Sequence, residues 1–192
     1  LIPPGLAPGA PPAAEACAAA CRRHGLAPGR FVLYAGNLDR YQDLDRLDAA
    51  AALAPDVPFV AATHDAAGAA FGALRVVEAP PAETRALLHA AGVAVLPRRR
   101  PGGFPIKLLN YMEAARPIVA HEGVGAGLVH GETARLLPRD AGPAAWAEAV
   151  RTLLADPERA AALGRAARRH LEARHAWPRL ARETLALALP RG

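Results

Sequence analysis

The sequence predicts an α/β fold, a doubly wound parallel sheet of about six strands with a helical C-terminal tail. Three observations lead there. Short runs rich in Val, Leu, Phe and Ala lack polar alternation, which is how a strand buried on both faces reads. Helical stretches lie between successive runs, giving strand–helix alternation. Beyond residue 142 proline-headed helices replace the strands.

The elements follow in order. Residues 1–12 (LIPPGLAPGAPP) have the Pro/Gly density of a linker remnant. Residues 13–24 read as a helix ended near Gly25, and within it Cys17 and Cys21 share a face. The main domain is expected over 13–175. Its strand candidates are Phe31–Ala35, Phe59–Thr63, Leu74–Val77, Val93–Leu96, Pro117–Ala120 and the short Arg135–Leu137. Helices are expected at 44–53, 82–91 and 105–115, whereas the connection 64–73 is short and rich in Ala and Gly. In the tail, 143–155, 157–175 and 178–189 read as helices. Pro157 and Pro178 head two of them, because proline is tolerated in a first helical turn and presets φ there. Residues 176–192 are expected to stand apart as a C-terminal helix.

Hydrophobic residues make up 52% of the 192, which excludes a disordered chain. Only 5% are aromatic, so the core should rest on Ala, Leu and Val. The net charge of +5 raises the question of nucleic acid. The arginines are scattered among acids and stacking aromatics are sparse, so nucleic acid is not expected as a partner. A modest positive field suits a diphosphate equally well. No apolar stretch is long and uncharged enough to span a membrane, and nothing resembles a secretory leader. The chain starts at Leu1 and its only methionine is Met112, so it is expected to be a piece of a longer protein.

In such a sheet ligands bind beyond the carboxyl ends of the strands, so the strand-to-helix loops hold the candidate site. After the first strand, Gly36 lets the chain turn sharply, and Asn37, Arg40 and Gln42 offer donors; an ordinary polar loop reads the same way. His64 is the histidine at this edge, just past the second strand. After the fourth strand come Pro97, Arg98, Arg99, Arg100, Pro101, Gly102, Gly103, Phe104, Pro105, Ile106 and Lys107. The arginines bring charge, and Gly102 and Gly103 can bring bare backbone against a ligand. Pro105 suits a first helical turn, which would leave the N–H groups of Gly103–Ile106 facing the loop as an anion site. Lys107 is the only lysine in a chain that otherwise uses arginine, as expected where a compact ammonium is needed. After the fifth strand, His121–Gly127 alternates glycines but lacks the helix-opening context of a dinucleotide fingerprint. No Ser/His/Asp set is visible, so catalytic residues stay unassigned. No metal is expected: there is no His-x3-His, the cysteines lack further ligands, and His170 and His175 lie five apart, which does not put them on one helix face.

The run Val95-Leu96-Pro97, then Gly103-Phe104-Pro105-Ile106-Lys107-Leu108-Leu109-Asn110-Tyr111-Met112-Glu113-Ala114-Ala115-Arg116-Pro117-Ile118-Val119-Ala120, resembles the carboxy-terminal domain of the retaining GT-B glycosyltransferases. That family includes bacterial mannosyltransferases and sucrose synthases. His130–Leu137 is similar to its glycine-turn hairpin. Asp156–Arg159 with Leu163-Gly164 is similar to its terminal helical section, and residues 1–5 to the junction leaving its amino-terminal domain. The resemblance implies a Rossmann-like domain, one half of a GT-B fold. It would bind a nucleotide sugar, a nucleotide-diphosphate donor substrate, with no cofactor and no metal. The sugar would pass with retention to an acceptor held by the missing N-terminal domain, so the chain alone is expected to be inactive. The last helix would cross back to that domain. Its positions Leu180, Thr184, Leu185 and Leu187 would then lack their normal partner surface here, leaving the helix frayed, repacked or covered by another chain. With two cysteines and no leader, a cytoplasmic location is expected, any membrane association arising in the full-length enzyme.

In the family an Arg and a Lys after the first strand neutralise the diphosphate, and a Glu-x7-Glu pair holds sugar and ribose. Here those positions carry Asn37 and Gln42, then Gly102 and Asn110, and the loop glycine is Asp43. The resemblance therefore implies a divergent donor site built from Gly36, Asn37, Arg40, Gln42, His64, Arg98, Gly102, Gly103, Phe104, Pro105, Ile106, Lys107 and Asn110. Arg40 or Lys107 would supply positive charge. Asn110 would bond a ribose hydroxyl without the charge assistance of a carboxylate. Two other readings stay open: a non-catalytic nucleotide-binding or protein-interaction module of this fold, and a nucleotide-sugar epimerase domain.

Overall fold

The computed structural model describes residues 4–99, 103–124 and 127–188. Among them the strands are β1 (Val32–Ala35), β2 (Phe59–Thr63), β3 (Arg75–Glu78), β4 (Val93–Leu96), β5 (Ile118–His121) and β6 (Arg135–Leu137). They form one sheet in the order β3-β2-β1-β4-β5-β6, every pairing parallel. In register, Val32 of β1 faces Phe59 on one side and Val93 on the other. Chain direction across the sheet reverses between β1 and β4. The loops leaving these two strands therefore diverge and open a crevice at the carboxyl edge.

Helices cover both faces: α1 (Ala14–Arg23), α2 (Leu44–Ala52), α3 (Pro81–Ala90), α4 (Lys107–Glu113), α5 (Pro143–Ala155), α6 (Pro157–Arg174) and α7 (Trp177–Ala188). Along β1 the side chains alternate between two cores. Leu33 and Ala35 join Leu87, Leu109 and Met112 of α3 and α4, while Val32 and Tyr34 join Leu47 and Trp146 of α2 and α5. Both faces are apolar, which is why the strand runs show no polar alternation. Helix α6 serves both cores, placing Ala167 and Leu171 in the first and Ala160 and Leu163 in the second.

Two expectations need correction, and two left open resolve. The third strand lies one residue later than expected and is not buried on both faces: it is the sheet edge, with Arg75 and Glu78 exposed and Val77 buried. An edge strand has one neighbour and keeps a wet side. The connection 64–73 is a series of turns. Its end is fixed by Asp48 of α2, whose carboxylate accepts the N–H groups of Gly72 (3.1 Å), Ala73 (2.7 Å) and Leu74 (2.7 Å). The helix expected at 105–115 is shorter, because the Leu108 N–H bonds the Pro105 carbonyl at 2.9 Å and regular helix starts only at Lys107. Finally, of the outcomes open to the last helix, repacking on this chain is seen at one position. Leu180 is buried over Gly5, whereas Leu185 stays 58% exposed. The Leu187 side chain lies outside the described residues.

Candidate functional site

Because all the strands are parallel, Gly36, His64, Pro97–Arg99, Gly103–Lys107 and His121 lie at one edge of the sheet. Gly102 lies outside the described residues, as do Arg100, Pro101, Gly125 and Ala126.

The centre of this edge is Lys107. Its ammonium donates to the Tyr34 hydroxyl and stands 4.3 Å from the centre of the Tyr34 ring. The Tyr34 hydroxyl in turn donates to the Asn37 carbonyl at 2.6 Å. Gly36, at φ +147°, makes room: a Cβ there would sit 2.7 Å from Lys107 Nζ. Burial, joined by the nearby Arg98 guanidinium and opposed by Asp39, brings the Lys107 ammonium down from 10.5 to about 8. Arg98 is itself buried and donates to the Gly103 carbonyl at 3.2 Å. Lys107 and Arg98 thus lie close enough at the switch point for their charges to oppose each other, an arrangement that a bound anion would relieve.

Beside Lys107 lies a cavity of about 440 Å³. Its floor is apolar, from Ala35, Ala62, Ala79 and Leu88, and Gly36, Thr63, His64, Thr84 and Asn110 stand at its polar positions. Arg85 and Glu113 close its inner wall. Glu113 is 4% exposed, and its two oxygens accept from Arg85 (2.7 Å) and pair with His89 Nε2 (3.2 Å). Burial lowers the His89 pKa, and the Glu113 carboxylate offsets this only in part. Tyr111, fully buried, caps the end of β1 by accepting the Ala35 N–H at 2.9 Å.

The other expected donor-site residues divide. Arg40 does not line the space beside Lys107 and faces a second hollow of about 730 Å³, which it shares with Asn37 and Asp65; His64 borders both spaces. Asn37 and Gln42 do not project as free donors. The Gln42 amide is buried and donates to the Asn37 side-chain oxygen at 3.0 Å, while the Asn37 amide donates to Asp39. A neutral pair at these positions fastens the loop instead of presenting charge. Phe104 turns away to lie against the His175 ring, centroids 5.1 Å apart. Pro105 is buried and Ile106 is 57% exposed. His170 and His175 do meet, with ring centroids 5.9 Å apart, because His175 caps α6 at φ −123° and leaves the helical path.

Asp43 ties the two diverging loops together. It holds φ +56°, a left-handed conformation that Asp tolerates, and its carboxylate accepts the Arg99 N–H (2.9 Å) and guanidinium (3.1 Å). Partial burial pulls this carboxyl upward, but the bonds from Arg99 outweigh it and hold the group below the usual carboxylate range. His121 is fully buried, hydrogen-bonded through Nδ1 to the Pro138 carbonyl at 2.8 Å and edge-on to Trp146. It belongs to the core. Among the described residues no three His, Cys, Asp or Glu side chains gather to hold a metal ion, and no helix is long and apolar enough to cross a membrane.

Tyr34, Thr84, Arg85 and Glu113 stand at the site although the sequence does not single them out. Glu113 leaves one signal, a carboxylate set among Leu108, Leu109, Tyr111, Met112 and Ala114, all of which are buried. Such a group needs a buried cationic partner. The sequence does not say that the partner is Arg85, 28 residues earlier.

A family model for glycosyl transferases group 1 matches residues 29–156. Several solved structures share the fold. Sucrose-phosphate synthase from Thermosynechococcus elongatus superposes at a TM-score of 0.77 with 23% identity, over 97% of this chain and 51% of that one. HepE from Anabaena, in complex with UDP and glucose, gives 0.73 with 17% identity, over 93% and 53%. The C-terminal domain of a glycosyl transferase group 1 family protein (LpcC) from Francisella tularensis gives 0.71 with 14% identity, over 90% and 100%. This chain spans about half the length of the first two and the whole length of the third. A search of curated protein sequences finds no match.

Proposed function

The chain belongs to the glycosyl transferases group 1 family, and from that premise we propose that it binds the nucleotide-diphosphate sugar donor of a GT-B glycosyltransferase. The observation that carries this reading is Lys107, the sole lysine, held in the space left by Gly36 at the point where chain direction reverses. The diphosphate lies against Lys107, with Arg98 behind it. The nucleoside enters the cavity of about 440 Å³, a size suited to a small ligand. Asn110 is exposed at its rim and offers a hydrogen bond to a ribose hydroxyl. HepE, of the same fold, has been solved with UDP and with UDP-glucose, which supports the ligand class.

The chemistry this site can assist is electrostatic. As the bond between sugar and diphosphate breaks, negative charge collects on the leaving phosphate. A cation fixed in advance in a partly buried site stabilises that charge without reorganising. The acceptor, and the groups that hold it, belong to the half of the fold outside this chain.

One observation favours a second reading, a module of this fold without transferase activity. The positions that carry Arg and Lys in the resembling family are here Asn37 and Gln42, and they bond each other. Thermal unfolding with UDP, GDP and ADP separates the two. Donor binding predicts that one of them raises the melting temperature at millimolar concentration, by mass action. No shift with any of the three contradicts the donor reading.

A further inference from the structure

The loop between β4 and α4 carries Gly103 and leads directly into Lys107, yet its aromatic residue points away from the cavity. Phe104 is packed on the first core and its ring lies 5.1 Å from that of His175, tilted by 44°. His175 is 3% exposed and sits at the junction of α6 and α7. It makes two further bonds to the N-terminal strap. Its Nδ1–H donates to the Pro4 carbonyl at 2.9 Å, and its own carbonyl accepts the Leu6 N–H at 2.9 Å. Gly5, between them, has no room for a side chain: a Cβ would meet Leu180 at 2.6 Å and Trp177 at 3.0 Å. One imidazole thus touches the donor loop with its face and fixes a segment 171 residues away in sequence with its edge.

We propose that His175 is a positioning residue of the donor site: by clamping Phe104 it sets the height of the Gly103–Ile106 backbone and hence of Lys107. This rests on the donor reading above, but the clamp has a readout of its own. The physical reason is rigidity. Pro105 and Ile106 are held through their carbonyls by the N–H groups of Leu108 (2.9 Å) and Leu109 (3.0 Å), but no helical turn reaches back to Gly103 and Phe104. Gly103 is held by Arg98 through its carbonyl at 3.2 Å, and Phe104 is held by its ring against His175. A group that must meet a phosphate to within a fraction of an ångström needs such support. The second glycine loop lands on the same pair of histidines, since a Cβ at Gly127 would collide with the His170 ring.

Two substitutions separate the ring from the tether. His175→Gln keeps a donor for Pro4 and loses the ring; His175→Phe keeps the ring and loses the donor. Calorimetry with the tightest of UDP, GDP and ADP should show about a tenfold loss for His175→Gln, with the matching nucleoside changed by less than about twofold. His175→Phe should stay within about threefold of the parent chain. Amide exchange in the ligand-free chain should rise across 103–107 in His175→Gln and not in His175→Phe. Unchanged diphosphate affinity in His175→Gln, or an equal loss in His175→Phe, overturns the proposal. If His175→Gln fails to fold, Phe104→Leu takes its place, with the same expected loss and the same overturning result. If the parent chain binds none of the diphosphates, the donor reading falls. The exchange measurement still decides the clamp, and unchanged exchange across 103–107 refutes it.

Discussion

At the scale of single residues, Lys107 carries the account. A hydrogen bond between an ammonium and a phosphate is worth roughly 1.5–3 kcal/mol, so Lys107→Ala should weaken nucleoside diphosphate binding roughly 10- to 150-fold. The nucleoside alone should bind almost as before; equal loss for both ligands would mean that Lys107 acts through folding. Burial, and then Arg98, bring the ammonium down to about 8. Diphosphate binding needs the charged form, so affinity should be highest below pH 8. It should fall by up to about tenfold per pH unit above that, measured by calorimetry across pH 7–9.5. Stability has the opposite sign. The folded value lies below the unfolded 10.5, so the folded chain disfavours the charged form. That cost is full below pH 8 and fades as pH rises toward 10.5. Lys107→Met should therefore be the more stable chain at pH 7, with a gap in urea unfolding that narrows above pH 8. Lys107 was legible in the sequence because it breaks the chain's own preference for arginine. Tyr34 and Glu113 were not, because their partners lie 73 and 28 residues away and only the fold brings them together.

At the scale of elements, the connection between β2 and β3 shows how one side chain replaces a helix. Its carboxyl end has three N–H groups and no ladder, and Asp48 accepts all three. Asp48→Ala should cost about 1–3 kcal/mol and loosen residues 72–74, as read by urea unfolding and by amide exchange. Burial tends to raise the Asp48 carboxyl, but the bonds from Leu74, Ala73 and Gly72 outweigh it and hold the group below its ordinary 3.8. This stabilisation is therefore present above the ordinary value and lost as pH falls through the lowered one. The stability gap between the parent chain and Asp48→Ala should close in acid. Strands and their connecting helices were legible because burial on both faces writes continuous apolar runs, as in β1, β2, β4 and β5. The edge strand β3 and the start of α4 were misplaced by one or two residues. Local pattern does not record which strand has a single neighbour, or that Leu108 bonds back to Pro105.

At the scale of the whole molecule, the proposed reading assigns this chain the donor and leaves the acceptor to the other half of the fold. The isolated chain should therefore not transfer sugar to any acceptor in a broad panel, and robust turnover would show that it holds a complete active site. The central claim is that a nucleoside diphosphate binds at the carboxyl edge of the sheet, at the switch point between β1 and β4. Titrating the labelled chain with a nucleoside diphosphate and following its backbone amide resonances tests this most directly. The account predicts saturating shifts concentrated at Gly36, Thr63, Ala79, Lys107 and Asn110. Shifts gathered instead at the opposite edge, around Gly29, Gly92 and Arg116, or no shifts at millimolar ligand, would contradict it.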